Sequence, residues 1–422
     1  MKILAVDIGA GTQDIMVYDD EEGFENAYKL VLPSPTRFFA EEVRRAEQDL
    51  VIFGETIGGG PFSRAVLEHL KKYKVYATER AARTLRDDLA VVRGYGVEII
   101  SEDEVADKVV SLTEKETKKG KKGKAKPLRI SEFNPELLPL LASFGVDTSF
   151  DAVAVAVQDH GVAPPGVSDR ENRFRIIAEK VGSGAGREAG GGEGRGEGRG
   201  EGRGEGRGEG REAGREAGGG GGAEAEIESF AYLDAVPDNL SRMKSVFQSV
   251  KSWHKGPVLL MDTGPAAVLG SLEDERVKGV VKEKKSLICV NVGNAHTIAM
   301  SLSGSGNGSG SENGSGNGSG SGSGSRITGI FEHHTRLLAR QKLSYYLKKL
   351  SDGSLTFEEV FADGGHGALT IGTGKGKTKP EIISLTGPRR EKMRGLGFFS
   401  APAGDMMMTG AVGLVKAVLK RL

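Results

Sequence analysis

The chain has 422 residues, which is enough for two or three domains with buried cores. It carries 58 lysines and arginines against 58 aspartates and glutamates, and this net charge of +0 argues against nucleic acid or an anionic membrane as a partner. With one cysteine it cannot form an internal disulfide or a cysteine zinc site. No apolar run approaches the ~18 residues of a membrane span and no signal peptide is recognisable, so we expect a cytoplasmic protein.

Apolar runs that end at aspartate or glycine predict buried strands, in chain order KILAVDI, DLVIFG, DAVAVAV, PVLLMD, SLICVNV and EIISLTG. Helical patterns alternate with these runs over residues 63–73, 79–92, 239–252, 335–350 and 409–422. This alternation predicts an α/β fold with mainly parallel central strands.

Three low-complexity segments interrupt these patterns: a lysine-rich loop at 113–127, a Gly/Glu/Arg insert at 182–222 and a Gly/Ser insert at 303–325. None can bury enough apolar surface to offset the entropy of ordering, so we expect flexible loops. The Gly/Glu/Arg insert could bind RNA, but its arginines are matched by glutamates and no aromatic residues are interleaved. We therefore favour a solvated spacer.

A hairpin pattern occurs twice in the chain. The first copy reads KILAVDIGAGTQDIMV over 2–17, and the second reads LICVNVGNAHTIAMS over 287–301. Asp7, Gly9 and Thr12 of the first copy align with Asn291, Gly293 and Thr297 of the second. The repetition indicates a duplicated domain, with one loop from each half facing a shared cleft.

Such loops suit phosphate binding. Glycine lets backbone N–H groups approach phosphate oxygens, and a threonine hydroxyl adds a donor. Asp7, at the end of a strand, could hold Mg²⁺ directly or through water. The alternative is that both copies are ordinary hairpin turns, in which Asp and Gly serve only backbone geometry.

The order of these motifs resembles the actin-like ATPase superfamily, which includes actin, heat-shock chaperones and sugar kinases. DIGAGT looks like its first phosphate loop, NVGNAHT is similar to the second, and IISLTG resembles its adenosine loop. Asn291 stands where the second loop usually has Asp, and Pro388 where the adenosine loop has a second glycine. The C-terminal 401–422 looks like the helix that closes the nucleotide site.

This resemblance implies duplicated ribonuclease-H-like domains with a cleft between them, binding ATP and Mg²⁺. The first half would span 1–181, and 223–422 would hold a helical connection and the second half. Asp7 would be the metal ligand and a catalytic residue, and Gln158 and Asp159, after the DAVAVAV strand, would be the other catalytic candidates. The implied nucleotide-binding residues are Gly9, Gly11, Thr12, Gln13, Asn291, Gly293, Asn294, Thr297, Thr386 and Gly387.

The chain also resembles a prokaryotic family of unknown function that carries the label of pyruvate formate-lyase activating enzyme. The matching segments are VIFGETIGGGP, YATERAARTLRDDL, VAVQDHG and GDMMMTGAVGL. A radical activase needs clustered cysteines to hold its iron–sulfur cluster, and Cys289 is the single cysteine. We therefore set that activity aside.

Other candidates have structural alternatives of similar or greater weight. Asp159 could cap a turn at the strand exit, and the glycines at 58–60 could bind an anion or form a tight turn. Asp262 begins a third D-x-G pattern, for which a simple chain turn is favoured. The seven histidines show no metal-binding spacing, and the adjacent His333 and His334 would point to opposite faces of a strand.

Two functions remain. The first is an Mg²⁺-dependent ATPase or small-molecule kinase whose phosphoryl acceptor is unknown. The second is a nucleotide- or ligand-binding regulatory protein with little turnover, which the neutral Asn291 favours. In both cases the expected partners are a nucleotide and an unidentified small molecule or protein.

Overall fold

The computed structural model describes residues 1–114, 125–134, 136–182, 226–304, 325–371 and 379–422. The Gly/Glu/Arg and Gly/Ser inserts lie almost wholly outside these ranges, as does the middle of the lysine-rich loop, so their predicted flexibility stays a prediction. Within the described ranges, no helix is both long and apolar enough to cross a membrane.

The described residues form strands and helices that alternate along much of the chain. The strands are β1 (Lys2–Ile8), β2 (Thr12–Asp19), β3 (Tyr28–Pro33), β4 (Asp49–Gly54), β5 (Val75–Thr78), β6 (Glu98–Ile100), β7 (Ala125–Ile130), β8 (Ala152–Val157), β9 (Tyr232–Leu233), β10 (Val258–Met261), β11 (Leu287–Val292), β12 (His296–Gly304), β13 (Ser325–His334), β14 (Gly367–Thr370), β15 (Ile382–Thr386) and β16 (Phe398–Phe399). The α-helices are α1 (Gly23–Asn26), α2 (Pro35–Arg45), α3 (Gly60–His69), α4 (Glu79–Ala82), α5 (Leu89–Gly94), α6 (Glu104–Glu114), α7 (Leu137–Ser143), α8 (Asp169–Gly182), α9 (Ser241–Lys251), α10 (Thr263–Ser271), α11 (Glu275–Lys282), α12 (Arg340–Asp352), α13 (Phe357–Ala362) and α14 (Thr409–Arg421).

The first sheet has the order β3-β2-β1-β8-β10-β9. Strand β1 is antiparallel to β2 and parallel to β8, which is in turn parallel to β10. The alanines and valines of β8 are buried on both faces, as its unbroken apolar sequence predicts. Strands β9 and β10 belong to this sheet, so the first sheet includes residues beyond 223. The sequence analysis assigns 223–422 to the helical connection and the second half of the chain.

The second sheet has the order β14-β13-β12-β11-β15-β16. Strand β12 is antiparallel to both β11 and β13, and β14 is antiparallel to β13. Strand β15 is parallel to both β11 and β16. Both large sheets therefore have an antiparallel part and a parallel part that share one strand, β1 or β11, and the first sheet ends in β9, which is antiparallel to β10. Each of the strands predicted from an apolar run is present, and the α/β class is confirmed.

A third sheet, β6-β5-β4-β7, is all parallel and lies between β3 and β8 in the chain. The sequence analysis did not separate it from the first half. Its strand β7 pairs Pro127 with Val51, and α6 continues to Glu114, so regular structure occupies both ends of the predicted loop at 113–127.

The helix predicted over 79–92 is broken into α4 and α5, and the Asp88 side chain caps α5 by accepting a hydrogen bond from the N–H of Ala90.

Two helices, α10 and α14, pack between the two large sheets. Both contribute to one apolar cluster that also contains Ala5 of the first sheet and Cys289 of the second. The helices cross in close contact because glycine occupies the crossing on each side. A Cβ atom on Gly270 would lie 1.8 Å from the Thr409 carbonyl oxygen, and one on Gly413 would lie 1.9 Å from that of Ala266. This crossing sets the distance between the sheets.

Candidate functional site

A cavity of ≈ 560 Å³ lies where the three sheets meet. Its walls come from the β1–β2 and β11–β12 turns, the exits of β8, β10 and β15, and the start of α14. The structure places ten of the predicted site residues on these walls: Asp7, Gly9, Thr12, Gln158, Asp159, Asn291, Gly293, Asn294, Thr386 and Gly387.

The two glycine turns have the same backbone hydrogen bond. The N–H of Gly9 donates to the Thr12 carbonyl oxygen at 2.9 Å, and the N–H of Gly293 donates to the His296 carbonyl oxygen at 2.9 Å. We call residues 9–12 the first turn and residues 293–296 the second turn. The counterpart of Thr12 is therefore His296, one residue before the Thr297 that the sequence alignment paired with it. The turn hydrogen bond sets which residues of the two strands of a hairpin pair with each other. A nearby threonine in the sequence does not set this pairing.

The turns also meet each other. A Cβ atom on Gly11 would lie 2.3 Å from Nδ2 of Asn294, so a larger residue there would displace the Asn294 side chain. Gly11, Gln13 and Thr297 are the predicted residues that do not line the cavity. Gln13 donates through Nε2 to the Pro33 carbonyl oxygen at 3.1 Å, and the Thr297 hydroxyl pairs with that of Thr335 at 2.9 Å.

Two carboxylates face one another across the first hairpin. Asp7 and Asp14 are directly paired in the β1–β2 register, so their side chains lie on the same face of the sheet. Both line the cavity, and in each the Oδ1 atom is buried without a hydrogen-bond partner among the described residues. Burial, with the charges of Asp14 and Asp262, holds the pKa of Asp7 well above its usual range. Two carboxylates in this arrangement could bind a divalent cation.

The second sheet and α14 close around Asp7. Oδ2 of Asp7 touches Gly410 near the start of α14, where a Cβ atom would lie 1.9 Å from it. The Thr386 hydroxyl donates to that of Thr409 at 3.0 Å. Gly387, with φ +94°, lies against Asn291, whose Oδ1 would be 2.4 Å from an added Cβ. A side chain at Gly387 or Gly410 would occupy this part of the cavity.

The pH dependence of the free energy of unfolding should show the raised pKa of the Asp14 carboxyl. Burial raises its pKa to about 7, a hydrogen bond from Thr12 lowers it in part, and the charge of Asp405 raises it. Between pH ~4 and ~7 the folded chain therefore retains a proton that the unfolded chain loses, so the free energy of unfolding falls as pH rises through this window. The gap between the two pKa values corresponds to roughly 4 kcal/mol.

Asp14→Asn should make this fall shallower, with Asp7 accounting for the remainder. Urea unfolding at pH 5 and pH 8 measures it, with Asp103→Asn as the control because Asp103 is exposed. An Asp14→Asn variant that loses stability as steeply as the wild type would contradict the assignment.

Gln158 and Asp159 are both held by other groups. The amide Nε2 of Gln158 donates to Oε1 of Glu332 at 2.7 Å, and its Oε1 lies 2.6 Å from Nδ1 of His296. Asp159 accepts hydrogen bonds from the N–H groups of Gly161 and Met243, both at 2.9 Å. Asp159 thereby stabilises its own turn and the start of α9, which matches the structural alternative for that residue.

A buried guanidinium joins the first sheet to the second. Arg173 of α8 donates to Oδ2 of Asp262 at 2.6 Å and to Oε2 of Glu332 at 3.0 Å. Oδ1 of Asp262 accepts from the N–H of Gly264 at 3.1 Å, so Asp262 also caps α10. Burial alone would raise the pKa of Glu332, but the charge of Arg173 outweighs it and the pKa is lowered. The group carries one positive and two negative charges.

A second guanidinium holds the glycine segment 58–60. Arg242 pairs with Glu132, donates to the Gln158 carbonyl oxygen at 2.7 Å and touches Gly58. The N–H of Gly58 donates to Oε2 of Glu132 at 2.7 Å. This N–H is therefore already bonded within the chain, which favours the tight-turn alternative over anion binding at Gly58.

Four histidines meet at one end of the cavity, contrary to the expectation from spacing. We call His160, His296, His334 and His366 the histidine cluster. Ring centroids of His296, His334 and His366 lie 4.7–4.8 Å apart, and His160 lies 5.5 Å from His366. They come from the β8 exit, the second turn, the end of β13 and the start of β14, so sequence spacing could not reveal them.

The adjacent pair His333 and His334 does point to opposite faces, as predicted. His333 lies 3.3 Å from Asp363 and takes no part in the cluster. Burial lowers the pKa of His160, His296 and His366, and it lowers that of His334 to about 4, with neighbouring charges contributing. The four rings are therefore neutral at pH 7, the form in which imidazole binds metals.

The sequence analysis missed Asp14, Arg173, Arg242, Glu332 and the histidine cluster. Asp14 had a signal, since an aspartate inside the apolar second strand mirrors Asp7 across the turn. The others become neighbours only through the packing of separate sheets.

These features define an α/β protein with an acidic and histidine-lined cavity between its sheets. The chain belongs to the family described as "Putative pyruvate format-lyase activating enzyme (DUF1786)", whose model matches residues 57–189, 222–307 and 321–392. The match omits the first hairpin and α14. No curated protein matches the chain.

The chemistry in the family's description does not fit the residues present. Cys289 is the single cysteine, and it is fully buried in β11. Burial raises the pKa of its thiol to about 12, so the thiolate that binds iron does not form near pH 7. The chain has no set of cysteines to hold a cluster.

Proposed function

We propose that the chain is a nucleotide-binding protein, an Mg²⁺-dependent ATPase or small-molecule kinase of the actin-like fold. The observation that carries the proposal is the Asp7–Asp14 pair, with partnerless buried oxygens among the described residues, beside two glycine turns. Asp7 and Asp14 would hold Mg²⁺, and the N–H groups of the turns would bind phosphate oxygens.

The strand order supports the fold part of the proposal. Each six-stranded sheet contains a run of three antiparallel strands followed by two parallel ones, with β9 or β14 as one further edge strand: β3-β2-β1-β8-β10 and β13-β12-β11-β15-β16. The same order in both sheets is what a duplicated domain would give. The cavity between the units and the crossing of α10 with α14 are further features of duplicated domains that close around a ligand.

A binding experiment tests the proposal. Titration calorimetry of the full chain with ATP and ADP, each with and without Mg²⁺, should show nucleotide binding that Mg²⁺ strengthens. Gly9→Val should abolish binding with or without Mg²⁺, because its methyl groups would occupy the phosphate position. A Cβ atom at Gly9 would lie 3.3 Å from the Thr12 carbonyl oxygen, a tight contact that the turn must relax by a few tenths of an ångström. Circular dichroism of the variant therefore checks the fold.

The matched control is Gly279→Val on the surface of α11, where a Cβ atom would meet no atom within 4 Å among the described residues. This variant should bind nucleotide as the wild type does. A wild-type chain that binds neither nucleotide would refute the proposed function.

A regulatory protein with little turnover is the second candidate. It is favoured by Asn291, which offers no charge to a metal, and by Gln158, whose amide is already bonded to Glu332 and His296. ATP hydrolysis by wild type and Asn291→Asp separates the two functions. Faster hydrolysis by the variant would mean that the missing charge limits turnover, and nucleotide binding with no hydrolysis by either would favour regulation.

A further inference from the structure

The histidine cluster contains nitrogen atoms that nothing in the described part of the chain satisfies. His366 is 0 % exposed, and both of its ring nitrogens are buried without a hydrogen-bond partner there. Nε2 of His296 is in the same condition. An unpartnered buried polar group destabilises the fold, so three such atoms in one place call for a ligand.

Hydrogen bonding fixes which nitrogen of His296 is free to bind. The amide Nε2 of Gln158 donates to Glu332, so Oε1 of the same amide faces Nδ1 of His296. An amide oxygen can only accept, hence Nδ1 carries the proton and Nε2 carries the lone pair. A histidine oriented through its second nitrogen by an outer hydrogen bond is typical of metal ligands.

Three of the histidines are close enough to share one ion. Ligand nitrogens of His160, His296 and His366 all lie within 4.8 Å of one another. Hydrogen bonds fix the backbone at two of these residues. The Asn172 amide donates to the His160 carbonyl oxygen at 2.9 Å, and the N–H of His366 donates to the Glu332 carbonyl oxygen at 2.9 Å. Both His160 and His296 line the cavity, so an ion there would be accessible from it.

The neighbouring charges are of both signs, so the ring chemistry selects the ion. Arg173 pairs with the carboxylates of Asp262 and Glu332. Burial and nearby positive charge, including that of Arg173 and Arg170, lower the pKa of His366. Neutral imidazoles suit zinc, copper, nickel and iron, whereas Mg²⁺ prefers oxygen ligands.

We propose that His160, His296 and His366 form a binding site for a divalent transition-metal ion, with Zn²⁺ as the expected ion. Three imidazole ligands leave a fourth coordination position for water or substrate, as in catalytic zinc sites. Its ligands do not include Asp7 or Asp14, although His296 is also the last residue of the second turn and lines the same cavity. The proposal does not rest on the nucleotide binding proposed above. Because His160 follows a first-sheet strand and the others belong to the second, the ion would also join the two sheets.

The test uses the full chain without an affinity tag, stripped with a chelator and titrated with Zn²⁺ by calorimetry. We expect one ion per chain, with Co²⁺ giving the visible absorption of a four-coordinate site. X-ray absorption of the zinc form should show nitrogen ligands at about 2.0 Å. Zn²⁺ should also raise the melting temperature of the wild type.

Variants separate this site from adventitious binding. His296→Ala and His366→Ala should each lose stoichiometric Zn²⁺ binding, and Gln158→Ala should weaken it about 10- to 100-fold by releasing His296. The matched control is His69→Ala, since His69 is buried in the third sheet region and pairs with the Gln48 carbonyl oxygen at 3.0 Å. Circular dichroism of each metal-free variant checks the fold. His296→Gln is the substitute if an alanine variant unfolds.

Two results would overturn the proposal. One is a wild-type chain that binds no Zn²⁺ or Co²⁺ in stoichiometric amount. The other is Zn²⁺ binding that a folded His296 or His366 variant retains at wild-type affinity, or that His69→Ala loses equally.

Discussion

Replacing Asp7 by asparagine is expected to remove most of the Mg²⁺-dependent part of ATP affinity while leaving the fold intact. Asparagine keeps the shape of the side chain and deletes its charge. The expected loss is on the order of 100-fold, equivalent to about 2.7 kcal/mol, because one anionic ligand of the ion disappears. Binding of ATP without Mg²⁺ should change little.

The same variant should be more stable than the wild type at pH 8 without Mg²⁺. Asp7 is buried beside Asp14 and Asp262, and its raised pKa means that ionising it costs folding free energy. Gain of stability with loss of metal-dependent binding is the signature of a residue retained for function. Calorimetry and urea unfolding measure the two effects, with Asp103→Asn as control. Equal affinity of wild type and Asp7→Asn for Mg·ATP would show that the first hairpin is structural only.

The second large effect is expected at the helix crossing. Gly413→Ala should destabilise the chain by about 3 kcal/mol or more, at the upper end of overpacking costs. The reason is that its Cβ atom would lie 1.9 Å from the Ala266 carbonyl oxygen, and a backbone atom cannot turn aside as a side chain can. Helices α10 and α14 would have to separate, and both large sheets pack against them.

Gly279→Ala in α11 is the matched control for this prediction. It makes the same chemical change in a helix, at a position where the added Cβ meets no described atom within 4 Å. Helix propensity alone should then stabilise the chain by about 0.5–1 kcal/mol. Opposite signs for the two substitutions in thermal or urea unfolding would support the crossing. A neutral Gly413→Ala would contradict it.

The strands that could be predicted are those whose residues carry their own signal. β8 is apolar throughout, and β1 and β11 are apolar runs interrupted only near their ends, so the position of these strands needs no tertiary information. The helix over 79–92 failed because Asp88 caps a new helix, a local competition that apolar periodicity does not record. The third sheet was not separated because its strands look like those of the first.

Part of the candidate site could likewise be predicted from a short segment of sequence, and part of it could not. Asp7 and Gly9 lie within one hairpin, so their chemistry could be inferred from a short segment. The pairing of Thr12 with Thr297 missed by one residue, since only the turn hydrogen bonds fix the register. His160 and His366 lie more than 200 positions apart in the chain, and their proximity results from the packing of two sheets.

Helix α14 connects the cavity with a remote part of the chain. Thr409, at its start, bonds to Thr386 in the cavity wall, and Lys420, near its end, pairs with Glu226 and Glu228. The Gly413 crossing lies about 6 Å along the axis from Thr409 and about 10 Å from Lys420, at 1.5 Å of rise per residue. The crossing with α10 covers the first turn of α14, since Gly270 packs against Thr409 and Gly413 packs against Ala266.

Glu226 is the first described residue after the Gly/Glu/Arg insert. One helix, fixed against α10 at its first turn, therefore connects the cavity wall with the described residues that follow the insert.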